Sequence, residues 1–485
     1  MTEDVDVCIA IFWTGKDATA AFDPIHPKDI VKLLPDSAFK GLVDPTTIRP
    51  EDRAAAPTEE ASTTVPSASS QTSLMSLPAT PAFTFVKPPL EHMLNTMDFE
   101  TVARFCMKKE GWDYYASGAD DEITLRENRL AFQRLWLRPR VLINVKTIDT
   151  TTKMLGADVA LPIYITATAL AKLAHPDGEI AITRAAHTHQ LVYMCPTLAS
   201  YSLDEMCAAR QPGQTQWYQL YVNPNRKLTE DVVRKAERLG CTALCITVDA
   251  PQLGRREKDM RNKFTSQQAH LQKGQDVNRS AGVAGALTSF IDPSLCWADI
   301  AWLRSLTKMK LVLKGIQTGE DAVLAVQHGI HAIILSNHGG RQLDYARSAI
   351  EILPEVMEAL RGIGADQSME VYVDGGVRRG TDVVKALALG AKGVGIGRPI
   401  LWALASYGQE GVERCLSLLK HEVTMAMALL GARSVSDLKT GMVMTRNISD
   451  HFVPGPQDMM QAEAYVPLRA AAFQPGLQPS ISSRL

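Results

Sequence analysis

From about residue 158 the chain alternates between short apolar runs and segments with helical periodicity. The runs are ALPIYITA, LVYMCPT, TQWYQLYV, ALCITVDA, KLVLKG, AIILSN, EVYVDGG and KGVGIGR. Between them lie amphipathic stretches such as LTEDVVRKAERLG, TGEDAVLAVQHG and GTDVVKALALG. Several of these open with Thr or Asp and close at Gly, as helix caps do. Eight strand-like runs alternating with helices predict an α/β fold, a parallel (β/α)8 TIM barrel whose strands are buried on both faces. One such barrel with extensions fills a chain of 485 residues.

The regions outside the barrel differ in composition. Residues 49–89 form a linker, and its Ala-, Ser-, Thr- and Pro-rich part cannot bury enough apolar surface to offset its ordering entropy. Residues 90–450 make the barrel and its helical extension, which begins near Asp98, and residues 451–485 are a C-terminal tail. About sixty residues separate ALCITVDA from KLVLKG, and an insertion of that size in a βα loop is usually an active-site lid or disordered. The formal net charge of −2 gives no sign of a nucleic-acid binder. No apolar run reaches the 18 or so residues of a membrane span. The eight Cys show no CxxC pair and no Cys/His ladder, so no metal site is expected. The acidic start MTEDVDVCIAIFW resembles neither a secretory signal nor a transit peptide. The last three residues, Ser-Arg-Leu, are a close variant of the peroxisomal Ser-Lys-Leu address. A peroxisomal or cytoplasmic location is therefore expected.

A barrel enzyme builds its active site at the C-terminal ends of the strands. The polar residues of this chain collect there. The first strand run ends in Thr166, Ala167, Thr168 and Ala169, and the third carries Gln219 and Tyr221. The fourth ends in Thr247 and Asp249, with Arg256 soon after, and the fifth in Lys314. The sixth ends in Ser336, Asn337 and His338, followed by Arg341. The seventh ends in Asp374, Gly375, Gly376, Val377 and Arg378, and the eighth in Gly395, Ile396, Gly397 and Arg398. Any one of these could be a satisfied core polar group or a cap, but seven strand ends together point to a site. The two Gly-rich turns expose backbone N–H groups beside Arg378 and Arg398, which favours phosphate.

SNHGGRQLD, VDGGVRRGTDVVKALALGAKGVGIGRP, TVDAPQLGRREKDMRNKF and YYASGADDEITLRENRLAF resemble the FMN-dependent 2-hydroxy acid oxidase and dehydrogenase family. The likeness runs from about residue 90 to 450. WYQLYVN, ATAL, TLAS, REKDM and FIDPSLCW are similar to the flavocytochrome-type L-lactate dehydrogenases. The resemblance implies FMN and the oxidation of a small L-2-hydroxy acid to its 2-oxo acid. His338 would take the hydroxyl proton, a task its ordinary pKa suits, and the planar guanidinium of Arg341 would take the carboxylate. Tyr114 would also bind the carboxylate, Tyr221 the hydroxyl end, and Asp249 would stabilise the imidazolium. Arg256 would support the pocket. Lys314 would sit near the flavin N1/O2 edge, with Thr168, Gln219 and Thr247 also bonding the ring. Asp374, Gly375, Gly376, Arg378, Gly397 and Arg398 would hold the ribityl phosphate. Ala169 and Leu198 would leave room for a short acid. Pro196 stands where the lactate dehydrogenases carry a flavin-contacting Ser, and Pro cannot donate a hydrogen bond.

GKDATAAFDPIHPKDIVKLLP resembles the second half of a cytochrome b5 haem domain, with His26 matching one axial ligand. The HPGG-type turn of the other ligand is absent, so residues 1–48 read as a truncated remnant and no haem is expected. The electron acceptor would then be O2 or another carrier, and relatives are commonly homotetramers. Two alternatives stand beside this reading within enzymes: a glycolate or long-chain 2-hydroxy acid oxidase using O2, and a different FMN- or phosphate-binding barrel. A non-catalytic haem or interaction protein is a third.

Overall fold

Each of the eight apolar runs supplies one strand of a closed parallel barrel. The computed structural model describes residues 85–262, 283 and 287–451. The strands are β1 (Ile163–Ile165), β2 (Val192–Cys195), β3 (Gln216–Leu220), β4 (Ala243–Thr247), β5 (Lys310–Ile316), β6 (Ala332–Leu335), β7 (Glu370–Asp374) and β8 (Gly393–Ile396). Each pairs in parallel with its neighbours in sequence, and β8 closes on β1 through Val394↔Ile163 and Ile396↔Ile165.

The apolar runs are continuous because a barrel strand has two buried faces. One set of side chains fills the barrel interior: Tyr164, Trp217 and Tyr372 pack ring against ring at 5.3–5.8 Å, above Met154 and Val159. Met154 and Val159 come from a short antiparallel ribbon, Thr152–Met154 with Ala157–Val159, that plugs the N-terminal end. The other set packs outward against helices.

Among the described residues three α-helices precede the barrel: α1 (Thr96–Cys106), α2 (Lys109–Ala116) and α3 (Ile123–Gln133). Asn95 caps α1 by accepting from the Met97 and Asp98 amides, so the helix starts two residues before Asp98. The barrel helices are α4 (Gly178–Thr188), α5 (Leu203–Ala208), α6 (Arg226–Arg238), then α7 (Glu257–Met260) within the long β4 loop, followed by α8 (Asp299–Leu306), α9 (Gly319–Gln327), α10 (Ala349–Gly362), α11 (Gly380–Ala388) and α12 (Arg398–Leu430). Thr318 caps α9 by accepting from the Asp321 amide, as its place in TGEDAVLAVQHG predicts.

The sequence assigns residues 85–89 to the linker, yet they lie against the barrel body. Phe85 stacks on Phe105, Lys87 donates to the Ser406 carbonyl, and the Tyr407 hydroxyl donates to the Pro88 carbonyl. Apolar Phe85 has surface to bury there, which the Ala/Ser/Thr-rich stretch before it lacks. The haem-like remnant, the rest of the linker, part of the β4 insertion and nearly all of the C-terminal tail lie outside the described residues.

Candidate active site

One cavity of about 340 Å³ opens at the C-terminal end of the barrel. It is lined by every substrate and cofactor residue that the sequence singled out. Asp249 stands behind its wall, with its side chain wholly buried.

The β6 end explains how SNHGG presents a base. Asn337 exchanges amide hydrogen bonds with Asn128 of α3 at 2.8 and 2.7 Å, which pins the loop. Ser336 Oγ accepts from the His338 amide and from Lys314 Nζ, each at 3.0 Å. His338 has φ +59° and Gly339 and Gly340 have φ +67° and +74°. A Cβ at 340 would meet the α3 backbone at 2.5 Å, so only glycine lets the loop pass that close.

His338 Nδ1 lies 2.9 Å from Asp249 Oδ1, and Nε2 lies 3.2 Å from the Tyr221 hydroxyl. An ionised carboxylate only accepts, so Nδ1 carries the hydrogen and Nε2 keeps its lone pair toward the cavity. Burial pushes the imidazole below its ordinary 6.5, and the Asp249 carboxylate partly offsets this. Burial raises the Asp249 carboxyl, but His338 and Lys314 more than reverse that and leave it lowered. Burial and Asp249 together raise the Tyr221 phenol, which keeps it a donor.

Arg341 is held from behind. Its Nη1 donates to the carbonyls of Tyr114 and Ser117 at the end of α2, where helix carbonyls lack partners. Its guanidinium also lies 4.8 Å over the Tyr114 ring. Among the described residues its Nε and Nη2 have no protein partner, so one edge faces the cavity. Arg256, buried nearby, donates to the Arg341 carbonyl and to Gln342. Burial and then Arg341 lower its pKa to about 10.

The opposite end of the cavity is held differently. The Gln219 amide is locked between the Thr197 N–H and Thr247 Oγ1. Lys314 Nζ lies 3.5 Å from Asp374; burial works to lower its pKa, but Asp374 and Asp249 carry it above the ordinary value. Thr166 turns its hydroxyl to the Ile396 carbonyl, while Ala167, Thr168, Ala169 and Leu198 complete the wall beside Pro196. Arg378 pairs with Glu100 of α1 at 2.6 Å. The Nε, Nη1 and Nη2 of Arg398 donate to the carbonyls of Tyr115, Gly339 and Ser117. It braces the His338 loop and lends charge to the cradle. Burial and then Arg341 lower its pKa to about 9. Guanidinium groups crowded in this way call for anions.

Residues of the pre-barrel helices that strand-end reading passed over also line the cavity: Glu100, Tyr115, Arg126, Asn128 and Arg129. Leu253, Leu287 and Ile291 come from the β4 insertion. The motif YYASGADDEITLRENRLAF hinted at four of the first group, but its polar positions could equally be surface ones, and Glu100 lies upstream of it.

The β7 turn lies directly against α3. Gly375 and Gly376 have φ +88° and +81°, and a Cβ at 376 would lie 1.8 Å from the Asn128 carbonyl. Gly376→Ala is expected to push the turn off α3 and so weaken cofactor binding about tenfold, because the strained conformation alone costs about 1–3 kcal/mol. Titration of the flavin-free protein with FMN, followed by flavin fluorescence, checks this; wild-type affinity would free Gly376 from the cradle.

A closed barrel with Gly-rich turns and arginines at β7 and β8, facing a His–Asp pair and an arginine edge, is the frame of an oxidoreductase that binds a phosphate-bearing cofactor. This chain belongs to the FMN-dependent dehydrogenase family, whose pattern its residues 103–445 match. It is 47% identical over 471 residues to an L-lactate dehydrogenase (cytochrome) of Wickerhamomyces anomalus, covering 97% of this chain and 79% of that one. It is 44% identical over 361 residues to an L-lactate oxidase of Nostoc sp., covering 72% and 98%. A solved flavocytochrome b2 double mutant with pyruvate bound superposes with a TM-score of 0.70 at 45% identity, covering 78% of this chain and 93% of that one.

FMN is the cofactor of this family, and the cavity fits it. The Gly375–Gly376 turn, Arg378 and the unpartnered Nε and Nη2 of Arg126 offer donors for a phosphate. Gln219, Thr247 and Lys314 supply a polar rim for a flavin ring. Pro196 contributes no N–H of its own to that rim.

Proposed function

We propose that this chain oxidises a short L-2-hydroxy acid, lactate in the first instance, to the 2-oxo acid, with His338 as the base. One observation carries this reading: Nε2 of a His–Asp pair and the open edge of Arg341 face the same cavity, three residues apart. The substrate carboxylate lies across Nε and Nη2 of Arg341 as a bidentate pair, with Tyr114 beside it. The hydroxyl sits between Nε2 and the Tyr221 hydroxyl. Nε2 takes the hydroxyl proton, and buried Asp249 stabilises the imidazolium that forms. FMN supplies, when bound, the acceptor for the two electrons of the C–H bond. Arg378 and the Gly375–Gly376 turn hold its phosphate, and Lys314 and Gln219 hold the ring. Ala169, Leu198, Leu253, Leu287 and Ile291 give the side-chain space an aliphatic lining that suits a short apolar substituent. The lactate activity of those relatives and the pyruvate bound by the flavocytochrome b2 mutant agree with this choice.

The test is the visible spectrum of the holoenzyme, taken anaerobically before and after L-lactate and again in air. Bleaching with lactate and recovery in air support the reading with O2 as acceptor. Bleaching without recovery keeps the substrate and assigns the electrons to another carrier. Flavin that never bleaches overturns it.

Arg341→Lys is expected to lower kcat/KM about 10- to 100-fold, by raising KM and lowering kcat. A point charge loses a charge-assisted bond worth about 1.5–3 kcal/mol. Steady-state kinetics with L-lactate decide it, and unchanged kinetics remove Arg341 from the substrate site.

Self-association, expected as a homotetramer, has support from surface composition. Trp136 and Met444 pair on a short exposed ribbon, Ile143 lies near Gly431 at the end of α12, and Leu142, Met425 and Leu429 are exposed as well. Such an apolar surface favours burial against another copy. Sedimentation velocity of Leu142→Asp against the wild type tests it, and an unchanged sedimentation coefficient rules this face out.

A further inference from the structure

We infer that Gly315 is a positioning residue for the catalytic pair, because its lack of a side chain is what lets Asp249 reach His338. This rests on the reading of His338 as base and Asp249 as its partner.

Gly315 lies in β5 between Lys314 and Ile316. Lys314 pairs with Ile334 and Ile316 with Leu335, so Gly315 is the extra residue of a β-bulge. Its φ is +114°, which side chains other than glycine's rarely adopt. A Cβ at 315 would stand 2.5 Å from Asp249 Cβ, 2.6 Å from Cγ and 2.8 Å from the Asp249 nitrogen. Non-bonded carbons settle about 3.5–4.0 Å apart, so either the aspartate or the strand would have to move by about 1 Å.

The bulge serves both sides of the site. On one side it leaves Lys314 Nζ directed to Ser336 Oγ, the atom that also accepts from the His338 amide. On the other it makes room for the Asp249 carboxylate, whose Oδ1 is 2.9 Å from Nδ1. The Val248 amide donates to the Lys314 carbonyl at 2.9 Å, so the residue before Asp249 hangs from the residue before Gly315. A displacement of the bulge therefore reaches Asp249 through a hydrogen bond as well as through contact. A second cavity of about 220 Å³, lined in part by Gly315, Val248 and Ala250, gives this turn space to yield. A side chain at 315 would thus draw the carboxylate off the imidazole while the barrel stays closed.

The experiment compares Gly315→Ala, Asp249→Asn and the double variant as FMN holoenzymes, reading kcat, KM for L-lactate and the pH profile of kcat/KM. Gly315→Ala is expected to keep its flavin spectrum and a KM near wild type, and to lose about 100-fold in kcat, the scale of a 1 Å misplacement. Its acid limb moves to lower pH, as in Asp249→Asn, because His338 loses the carboxylate that raises its pKa. In the Asp249→Asn background the same change adds nothing further to kcat. A wild-type kcat and acid limb for Gly315→Ala, while Asp249→Asn alters both, overturns the inference but leaves the base reading intact. Losses that multiply in the double variant overturn it too. If Asp249→Asn itself matches wild type, the reading of the pair falls and the inference falls with it. Should Gly315→Ala not fold, Asp249→Gly/Gly315→Ala removes two of the three close approaches. Recovery of FMN-bound protein supports the inference, and no recovery overturns it.

Discussion

His338→Gln leaves FMN bound and slows flavin reduction by L-lactate on the order of 10⁴-fold, the upper range for loss of a positioned general base. The glutamine amide can still hydrogen-bond, so the cavity stays polar and close to its native volume. What disappears is the one lone pair that Asp249 orients toward the substrate space. Tyr221 cannot take over, because burial and Asp249 hold its phenol protonated. Arg341 and Arg256 only donate. Anaerobic stopped-flow bleaching of the variant holoenzyme measures the effect. A rate within tenfold of wild type would show that another group accepts the proton.

The architecture was legible because a parallel barrel writes a repeating signal: two-faced strands give continuous apolar runs, and the helices between them carry their own period. The same logic found most of the polar residues that line the cavity, since a strand end must carry its polar residues next to its apolar ones. Pre-barrel residues escaped it. Asn128 and Arg126 lie on a helix, where a polar residue ordinarily means a solvent face, and only the folded chain shows Asn128 locked to Asn337. Gly315 escaped for another reason. A glycine after a strand lysine reads as a strand end, and nothing in KLVLKG tells that Asp249, at the end of the neighbouring strand β4, packs closely against it.

Arg398 shows how far a sequence reading of charge can go. A Gly-rich turn with an arginine predicts phosphate, and the cavity does gather guanidinium groups at that end. Yet the hydrogen bonds of Arg398 serve three backbone carbonyls and thereby tie α2 to the His338 loop. Its charge and its donors do different tasks. Hydrogen-bond direction depends on which carbonyls are left unpaired nearby, and that is a property of the assembled helix ends.

Asp249→Asn is the sharper test of how the base is tuned. The expected loss in kcat is on the order of 10²- to 10⁴-fold, larger than any substitution at the rim of the site. Two physical effects add. The asparagine can turn its NH₂ toward Nδ1, which favours the tautomer with hydrogen on Nε2 and leaves no lone pair for the substrate. The imidazolium formed on proton transfer also loses its buried counter-charge, and an unpaired charge in such a place is costly. The pH dependence separates this from a general loosening. Burial lowers the His338 pKa and Asp249 raises it, so removing the carboxylate lowers it further. The base must be neutral to act, so activity rises with pH through that pKa. The acid limb of kcat/KM therefore moves to lower pH while the plateau falls. A plateau that falls with an unmoved acid limb would mean that Asp249 only shapes the pocket. A plateau within a few-fold of wild type would mean that His338 needs no partner at all.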